Sequence, residues 1–374
     1  MSLVWMEGFD HEAGETDLQN GVCIPTLGPG SSAGQASYFN VGLSSAGTRF
    51  GVGQCATVQS QYALAFIPNT QGFVVPFDSV TFSEGFYGTA LYIPTPNIAY
   101  FSFFDIPNLM EQVSIKLSYN GSWVVYRGGD GNQTTLGSGT ITGFQADAWN
   151  YVEFYCKIDP SAGAFIMRVN NVQITSLTGL NTSNNINIYG NTITPSGIFG
   201  GMGIGCYNYV TPIGLLRYDD MYFNDTTGSA PYNTFLGNVR IQTAKVNGPG
   251  TYTEFTPLTG TNWSQVSETL ADGDASYNYS NTVGNKDTFT TTGAIINSTV
   301  FGVQITSYVR KDDAINREMA NYIISGSTEV AGDSQYLASS YTYLRDVYVA
   351  DPNTSAPWTS IGVNNLQIGY KLIS

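Results

Sequence analysis

From Thr48 onward the chain repeats one pattern: short runs of Val, Ile, Thr, Tyr or Phe interleaved with polar residues, each closed by Gly, Asn, Asp or Pro. A period of two sends alternate side chains to opposite faces, and turn residues every 8 to 12 positions or so reverse the chain before a helix can form. Many short extended segments bury their apolar sides by stacking sheet on sheet, so the expected class is all-β, a two-layer sandwich. Composition fits this reading: Gly (42), Tyr (25) and Phe (20) are plentiful, while 11% of residues are charged, well under the roughly 25% usual for globular chains.

Two hairpins are legible directly. Asn120-Gly121 sits between runs rich in Val, Ile and Tyr, and Asn170-Asn171 joins Val169 to Val172, so both turns carry residues that tolerate positive φ. The opening Leu3–Asp10 reads as a strand that ends at Gly8, and residues 11–47, rich in Gly and Pro, read as a loop over a sheet edge. Strands are expected through Trp149–Ile158, Ala164–Val169, Val172–Leu177, Ile186–Ile188 and Leu215–Phe223. The polar stretch Asn224-Asp-Thr-Thr-Gly-Ser-Ala-Pro231 lacks apolar periodicity and marks a boundary, giving domains of 1–228 and 229–374. The second, smaller β domain is expected to use strands at Asn238–Thr243, Ser276–Tyr279, Ile295–Arg310, Glu318–Ile324, Glu329–Ala331, Tyr341–Val349 and Val363–Ile373. Asn247-Gly-Pro-Gly250 reads as an exposed loop. Asp312–Tyr322 has a helix-like Asp cap and spacing, but its flanking strands favour a continued ribbon.

A net charge of -14, with 14 Lys and Arg in all, argues against a nucleic-acid groove. The start of the chain has no basic region followed by an apolar one, and no apolar stretch is long enough to span a bilayer, so folding in a cytoplasm is expected. Cys23, Cys55, Cys156 and Cys206 show neither Cys-x-x-Cys pairing nor zinc spacing and are expected as buried thiols in preference to bridges. A single histidine, His11, makes a metal site or a Ser-His-Asp site hard to assemble.

No catalytic set emerges. Glu7, Glu84, Glu111, Glu153, Asp219 and Asp220 are the carboxylates weighed for glycoside hydrolysis, but alternation sends Asp219 and Asp220 to opposite faces. Arg127-Gly-Gly-Asp130-Gly-Asn132 offers Asp130 and Asn132 as weak calcium ligands, although a turn accounts for the same residues and no other cofactor is indicated. Trp149 and Tyr151 share one strand face with Glu153, either as a stacking surface for sugar or as packing. Arg310, Lys311, Asp312 and Asp313 concentrate charge in an uncharged region and are candidate glycan or interface contacts, or simply a solvated loop.

Several short motifs point to a family. Trp5-Met-Glu7-Gly-Phe-Asp10, Trp149-Asn-Tyr-Val-Glu153, Arg168-Val-Asn-Asn171 and Tyr218-Asp-Asp-Met-Tyr222, with Trp358-Thr and Gly362-Val-Asn-Asn-Leu-Gln-Ile-Gly369 near the end, resemble segments of phage virion proteins whose first domain is similar to a concanavalin A-like jelly roll. The resemblance implies an N-terminal concanavalin A-like sandwich in a non-catalytic, homo-oligomeric particle protein of the tail fibre, tail tip or baseplate. It further implies virion proteins as partners and a host cell-surface glycan as a ligand. A capsid decoration or head-fibre protein, and a glycan-active enzyme or free lectin, are the alternative readings.

Overall fold

In the computed structural model, residues 3–7, 50–54, 62–66, 73–76, 81–129, 132–206, 216–268, 272–292 and 298–374 are described. The chain divides into two compact units, Met1–Gln242 and Thr243–Ser374. The first unit is an all-β jelly-roll-type sandwich. Its strands are β1 (Leu3–Glu7), β2 (Phe50–Gln54), β3 (Tyr62–Phe66), β4 (Phe73–Pro76), β5 (Glu84–Tyr92), β6 (Ile98–Asp105), β7 (Met110–Ser118), β8 (Ser122–Arg127), β9 (Thr134–Thr140), β10 (Trp149–Lys157), β11 (Gly163–Val169), β12 (Val172–Leu180), β13 (Gly201–Cys206) and β14 (Leu216–Asn224).

An eight-stranded antiparallel sheet runs β12-β11-β10-β5-β14-β3-β2, with β1 also on β14, and a six-stranded sheet runs β4-β13-β6-β7-β8-β9. Alternate residues of each interdigitate in one core. Tyr87, Leu91, Val152, Phe154, Phe165 and Phe223 come from the larger sheet, and Phe101, Phe103, Ile115, Val125 and Ile204 from the smaller. Each such side chain is worth roughly 1.5–3 kcal/mol when taken from water. The Tyr218 hydroxyl crosses this core to donate to the Gly205 carbonyl at 2.6 Å, tying sheet to sheet. Both hairpin turns form as the sequence requires: Asn170, Asn171 and Gly121 have φ of 49°, 67° and 80°.

The division at Gln242 corrects the expected boundary at 228. Residues 232–242 do not begin the second unit, and the strand anticipated at Asn238–Thr243 is absent. The segment instead lies as an irregular strap on the outer face of the larger sheet, because its backbone N–H groups find side-chain acceptors there. Leu236 donates to the Tyr222 hydroxyl (3.0 Å), Gly237 to Glu153 Oε1 (2.8 Å), Asn238 to Asn171 Oδ1 (3.2 Å) and Ile241 to Asp220 Oδ1 (2.7 Å). Phe235 meets Phe86 edge-on, with ring centroids 4.9 Å apart.

The second unit comprises β15 (Val246–Thr253), β16 (Thr256–Pro257), β17 (Asn278–Tyr279), β18 (Lys286–Thr291), β19 (Val303–Val309), β20 (Glu318–Ser325), β21 (Thr328–Ala331), β22 (Gln335–Tyr336), β23 (Thr342–Tyr348) and β24 (Gln367–Leu372), with a short helix α1 (Ser360–Asn364). Its main sheet runs β15-β18-β24-β20-β21, and β16-β17 and β19-β23 are separate ribbons. Asn247–Gly250, expected as a loop, belongs to β15. Pro249 is tolerated because β15 is an edge strand whose ladder to β18 shifts register on both sides of it. Asp312–Tyr322 is not helical; Glu318 begins β20. The closing run Val363–Ile373 starts instead in α1, capped by Thr359, whose side chain accepts from the Gly362 N–H. Ile186–Ile188 forms only an isolated bridge, Ile186 to Thr192.

Candidate functional site

A sandwich offers two outer faces, and here they differ. The middle of the larger sheet's outer face is covered, while Gln173, Ser176 and Thr178 on β12 are exposed. Trp149, Tyr151 and Glu153 do share that face, as alternation predicts, but Tyr151 is buried and donates its hydroxyl to the Asp220 carbonyl at 3.0 Å. Trp149 packs on Tyr92, with ring centroids 5.9 Å apart. Glu153 is fully buried and accepts from the Tyr222 hydroxyl (2.6 Å) and Gly237 N–H, with Arg168 3.6 Å from its other oxygen. Burial, and next the nearby carboxylate of Glu153, pushes the Tyr222 phenol well above its usual range. Asp219 and Asp220 do not simply alternate: the ladder shifts register between Asp219 and Tyr222, and Asp220 has φ of 48°. The strap occupies the part of this face over β10 and β14.

The smaller sheet presents a trough. Residues directly paired across an antiparallel ladder share a face. One row therefore reads Gly205, Tyr100, Lys116, Val124, Ser138, and the next reads Gly203, Ser102, Ser114, Tyr126, Thr135. The β13–β6 side of these rows is buried, Tyr100, Ser102, Ser114, Gly203 and Gly205 included, and a Cβ on Gly203 would stand 2.2 Å from Ser102 Oγ. Lys116, Val124 and Tyr126 are half-buried, and Thr135, Ser138 and Thr140 are exposed. The Lys116 ammonium lies 5.4 Å from the centre of the Tyr126 ring.

One end of the trough is walled by a bonded polar cluster. Tyr100 donates to Glu111 Oε1 (2.6 Å), and Ser114 Oγ to the Gly128 carbonyl (2.6 Å). Gly129 presses against the same carboxylate so closely that a Cβ would fall 1.4 Å from Glu111 Oε2. Gln112 Oε1 accepts from Asn184 N–H (2.8 Å), its amide donates to Ser196 Oγ (3.0 Å), and Ser196 in turn donates to Asp105 Oδ2. Both carboxylates at this end accept hydrogen bonds from neighbouring hydroxyls, which suits a wall. Hydroxyls, a cation and an aromatic ring along the open side are groups that recognise a polyhydroxylated ligand.

The remaining sequence candidates lie elsewhere. Asp130 falls outside the described residues. Asn132 is exposed, and its N–H closes a turn onto the Gly129 carbonyl at 3.1 Å. No group of three or more metal-ligating side chains occurs among the described residues. In the second unit Arg310 is paired with Asp274 (2.9 Å) and Asp313 with Arg317 (2.9 Å), while Lys311 Nζ donates to the Ile315 carbonyl (2.6 Å). Hydrogen bonds from Tyr341 and Arg310 hold the Asp274 carboxyl below its ordinary range, and one from Arg317 does the same for Asp313. Asp312 is exposed. Cys156 is a free, buried thiol. Sequence reasoning missed Lys116 and Tyr126, which lie on different strands and meet only through the register.

No model of a known protein family and no curated protein matches this sequence. Among solved structures the chain is similar to galectin LEC-6 of Caenorhabditis elegans, at 10% identity over 42% of this chain and 94% of that one, TM-score 0.27. It is similar to the carbohydrate-binding module CBM66 of Bacillus subtilis, at 8% identity over 48% and 96%, TM-score 0.31. It is also similar to the catalytic domain of the glycoside hydrolase family 131 protein of Coprinopsis cinerea, at 14% identity over 64% and 99%, TM-score 0.35.

Proposed function

We propose that this protein is a non-catalytic phage particle component that contributes to attachment by recognising a host-surface glycan along the trough of its six-stranded sheet. The observation that carries the reading is the row of groups the smaller sheet leaves open: Lys116, Tyr126, Ser138 and Thr135 lie together across β7, β8 and β9 within reach of solvent, whereas the strap covers the middle of the larger sheet's outer face. The acidic, low-charge composition and the short motifs that resemble segments of phage virion proteins support the particle assignment. The engaged state of Glu111, Asp105 and Glu153 supports binding without hydrolysis.

The test uses the full chain on an array of bacterial capsular and O-antigen polysaccharides. Wild type is expected to bind a subset, Tyr126→Ala and Lys116→Ala to lose most of that binding, and Trp149→Ala to keep it. Release of reducing ends from a bound polysaccharide, or unchanged binding by both trough variants, would overturn the reading. Antibody labelling of purified particles separates tail attachment from head decoration, and absence of the protein from particles would remove the virion assignment.

A further inference from the structure

The strap over β10 and β14 is held mainly by its backbone. From Tyr232 to Gln242 no side chain is buried: Thr234, Asn238, Arg240 and Gln242 are exposed and the others half-buried. The N–H groups of Leu236, Gly237, Asn238 and Ile241 each reach a different side-chain acceptor, and the contact of Phe235 with Phe86 adds apolar packing at one end.

The floor beneath is polar and fully buried. Tyr151, Glu153, Asp220, Tyr222 and Asn224 are each at most 1% exposed. Burying polar groups is unfavourable unless their donors and acceptors are met, and the strap leaves two acceptors unmet. Asn224 Nδ2 donates to the Thr234 carbonyl of the strap at 3.1 Å, but its Oδ1 is buried without a hydrogen-bond partner. Glu153 Oε2 likewise has none, the Arg168 guanidinium standing 3.6 Å away. This floor offers more acceptors than its cover has donors, which is the complement of a ligand rich in hydroxyl groups.

We propose that the floor is a second binding cleft, for a neutral glycan, and that the strap is a tethered occupant which such a ligand displaces. Sugar hydroxyls take the place of the four strap N–H groups and also reach Glu153 Oε2 and Asn224 Oδ1. The carboxylates of Glu153 and Asp220 select against acidic sugars, because like charges brought together repel. The ligand enters only when the strap is out, so its apparent affinity scales with the open fraction. The cleft shares no residue with the trough, and the inference stands apart from the reading of that face.

The experiment uses full-length protein carrying Tyr126→Ala, so that the trough does not contribute. Neutral and acidic polysaccharides of the same array are the probes, and trypsin cleavage at Arg240 measures strap opening. Gly237 has φ of 84° and a Cβ there would stand 2.8 Å from Asn171 Oδ1, so Gly237→Ala loosens the strap while every floor residue stays in place. It is expected to raise cleavage about tenfold, the size of the penalty for a non-glycine residue in the left-handed region. Binding of neutral polysaccharides should rise by the same factor, since both follow the open fraction, and acidic ones should stay unbound. Adding Glu153→Gln is expected to abolish the gained binding, with thermal unfolding as a control. Without Gly237→Ala, a saturating neutral polysaccharide should itself speed cleavage at Arg240, because linkage is reciprocal. Faster cleavage with neutral polysaccharides still unbound, binding that does not track cleavage, or a strap that Gly237→Ala fails to open would each overturn the inference. A trough that binds nothing in protein with Tyr126 intact would overturn the trough reading and leave this one standing.

Discussion

Replacing Tyr222 with Phe isolates the force that seals the larger sheet. The ring would keep its place, so no cavity forms, and only the hydroxyl is lost. That hydroxyl donates to the buried Glu153 carboxylate at 2.6 Å and accepts the strap's Leu236 N–H at 3.0 Å. Only the second of these joins strap to sheet, and a neutral hydrogen bond contributes about 0.5–1.5 kcal/mol, so strap closure should weaken by about that much while the lost Glu153 bond lowers the stability of the sheet itself. At 1.4 kcal/mol per factor of ten, the open strap becomes roughly 2 to 10 times more populated. Arg240 lies in the strap and is exposed, which gives trypsin a reporter site. When closing outpaces cleavage, the rate at Arg240 follows the open population and should rise by that factor. A Tyr222→Phe protein cut at Arg240 no faster than wild type, with unchanged thermal stability, would refute the claim that this network holds the strap.

Further outcomes follow from the same geometry. Gly88→Ala is expected to destabilise the first unit by about 1–3 kcal/mol and to loosen the strap, since its Cβ would sit 2.2 Å from Tyr222 Cε1; thermal unfolding and the Arg240 assay check both. Cys156, buried and with its thiol pushed up by that burial, should resist aromatic disulfide reagents until the chain unfolds, as peptide mapping would show. In the second unit, hydrogen bonds from Tyr322, Lys286 and Tyr252 hold the Glu329 carboxyl at about 2 instead of the ordinary 4.5. A lowered folded-state pKa stabilises above the unfolded value and is lost as acid protonates the group, so part of the stability should fall away from pH 4.5 to 2. Asp287 and Asp346, raised chiefly by burial, act in the opposite sense, so the Glu329 share is read as the difference between wild type and Glu329→Gln across that window.

Much of the sandwich was legible because its determinants are local. The Asn120-Gly121 and Asn170-Asn171 turns and the alternation through Trp149–Lys157 require no knowledge of distant residues, and they place Val152 and Phe154 in the core and Tyr151 and Glu153 outside it. What alternation cannot tell is whether an outer face meets water. Glu153 is buried because Gly237 and Leu236 return to it from far along the chain, and nothing in the spacing of either segment announces that meeting. The same long-range pairing explains the misread boundary: a polar segment without periodicity looks like a linker when its backbone partners are side chains on another strand. Val246–Thr253 was missed for the converse reason, since Asn-Gly-Pro-Gly reads as a turn unless an edge strand with shifted register absorbs it. Thr359 was a readable cap, passed over because the apolar run after it suited a strand.

The free edges of the sandwich bear on how copies of such a protein can assemble. Among the described residues β9 and β12 each pair on one side only, and neither carries a charged residue or proline to discourage strand addition. Both are instead interrupted by an extra residue. Leu136 is inserted between Thr135 and Gly137 opposite consecutive residues of β8, and Ile174 and Gly179 are inserted likewise opposite β11, with Gly179 at φ of 68°. An inserted residue bends and twists the outer strand, so the row of N–H and C=O groups that an incoming strand must match is broken. Strand addition at the β9 and β12 edges is therefore disfavoured by backbone geometry alone. The charges expected to bridge subunits, Arg310 and Asp313, are already paired with Asp274 and Arg317, so they add little drive for association. A homo-oligomer of this chain would therefore not be expected to join by strand addition at β9 or β12.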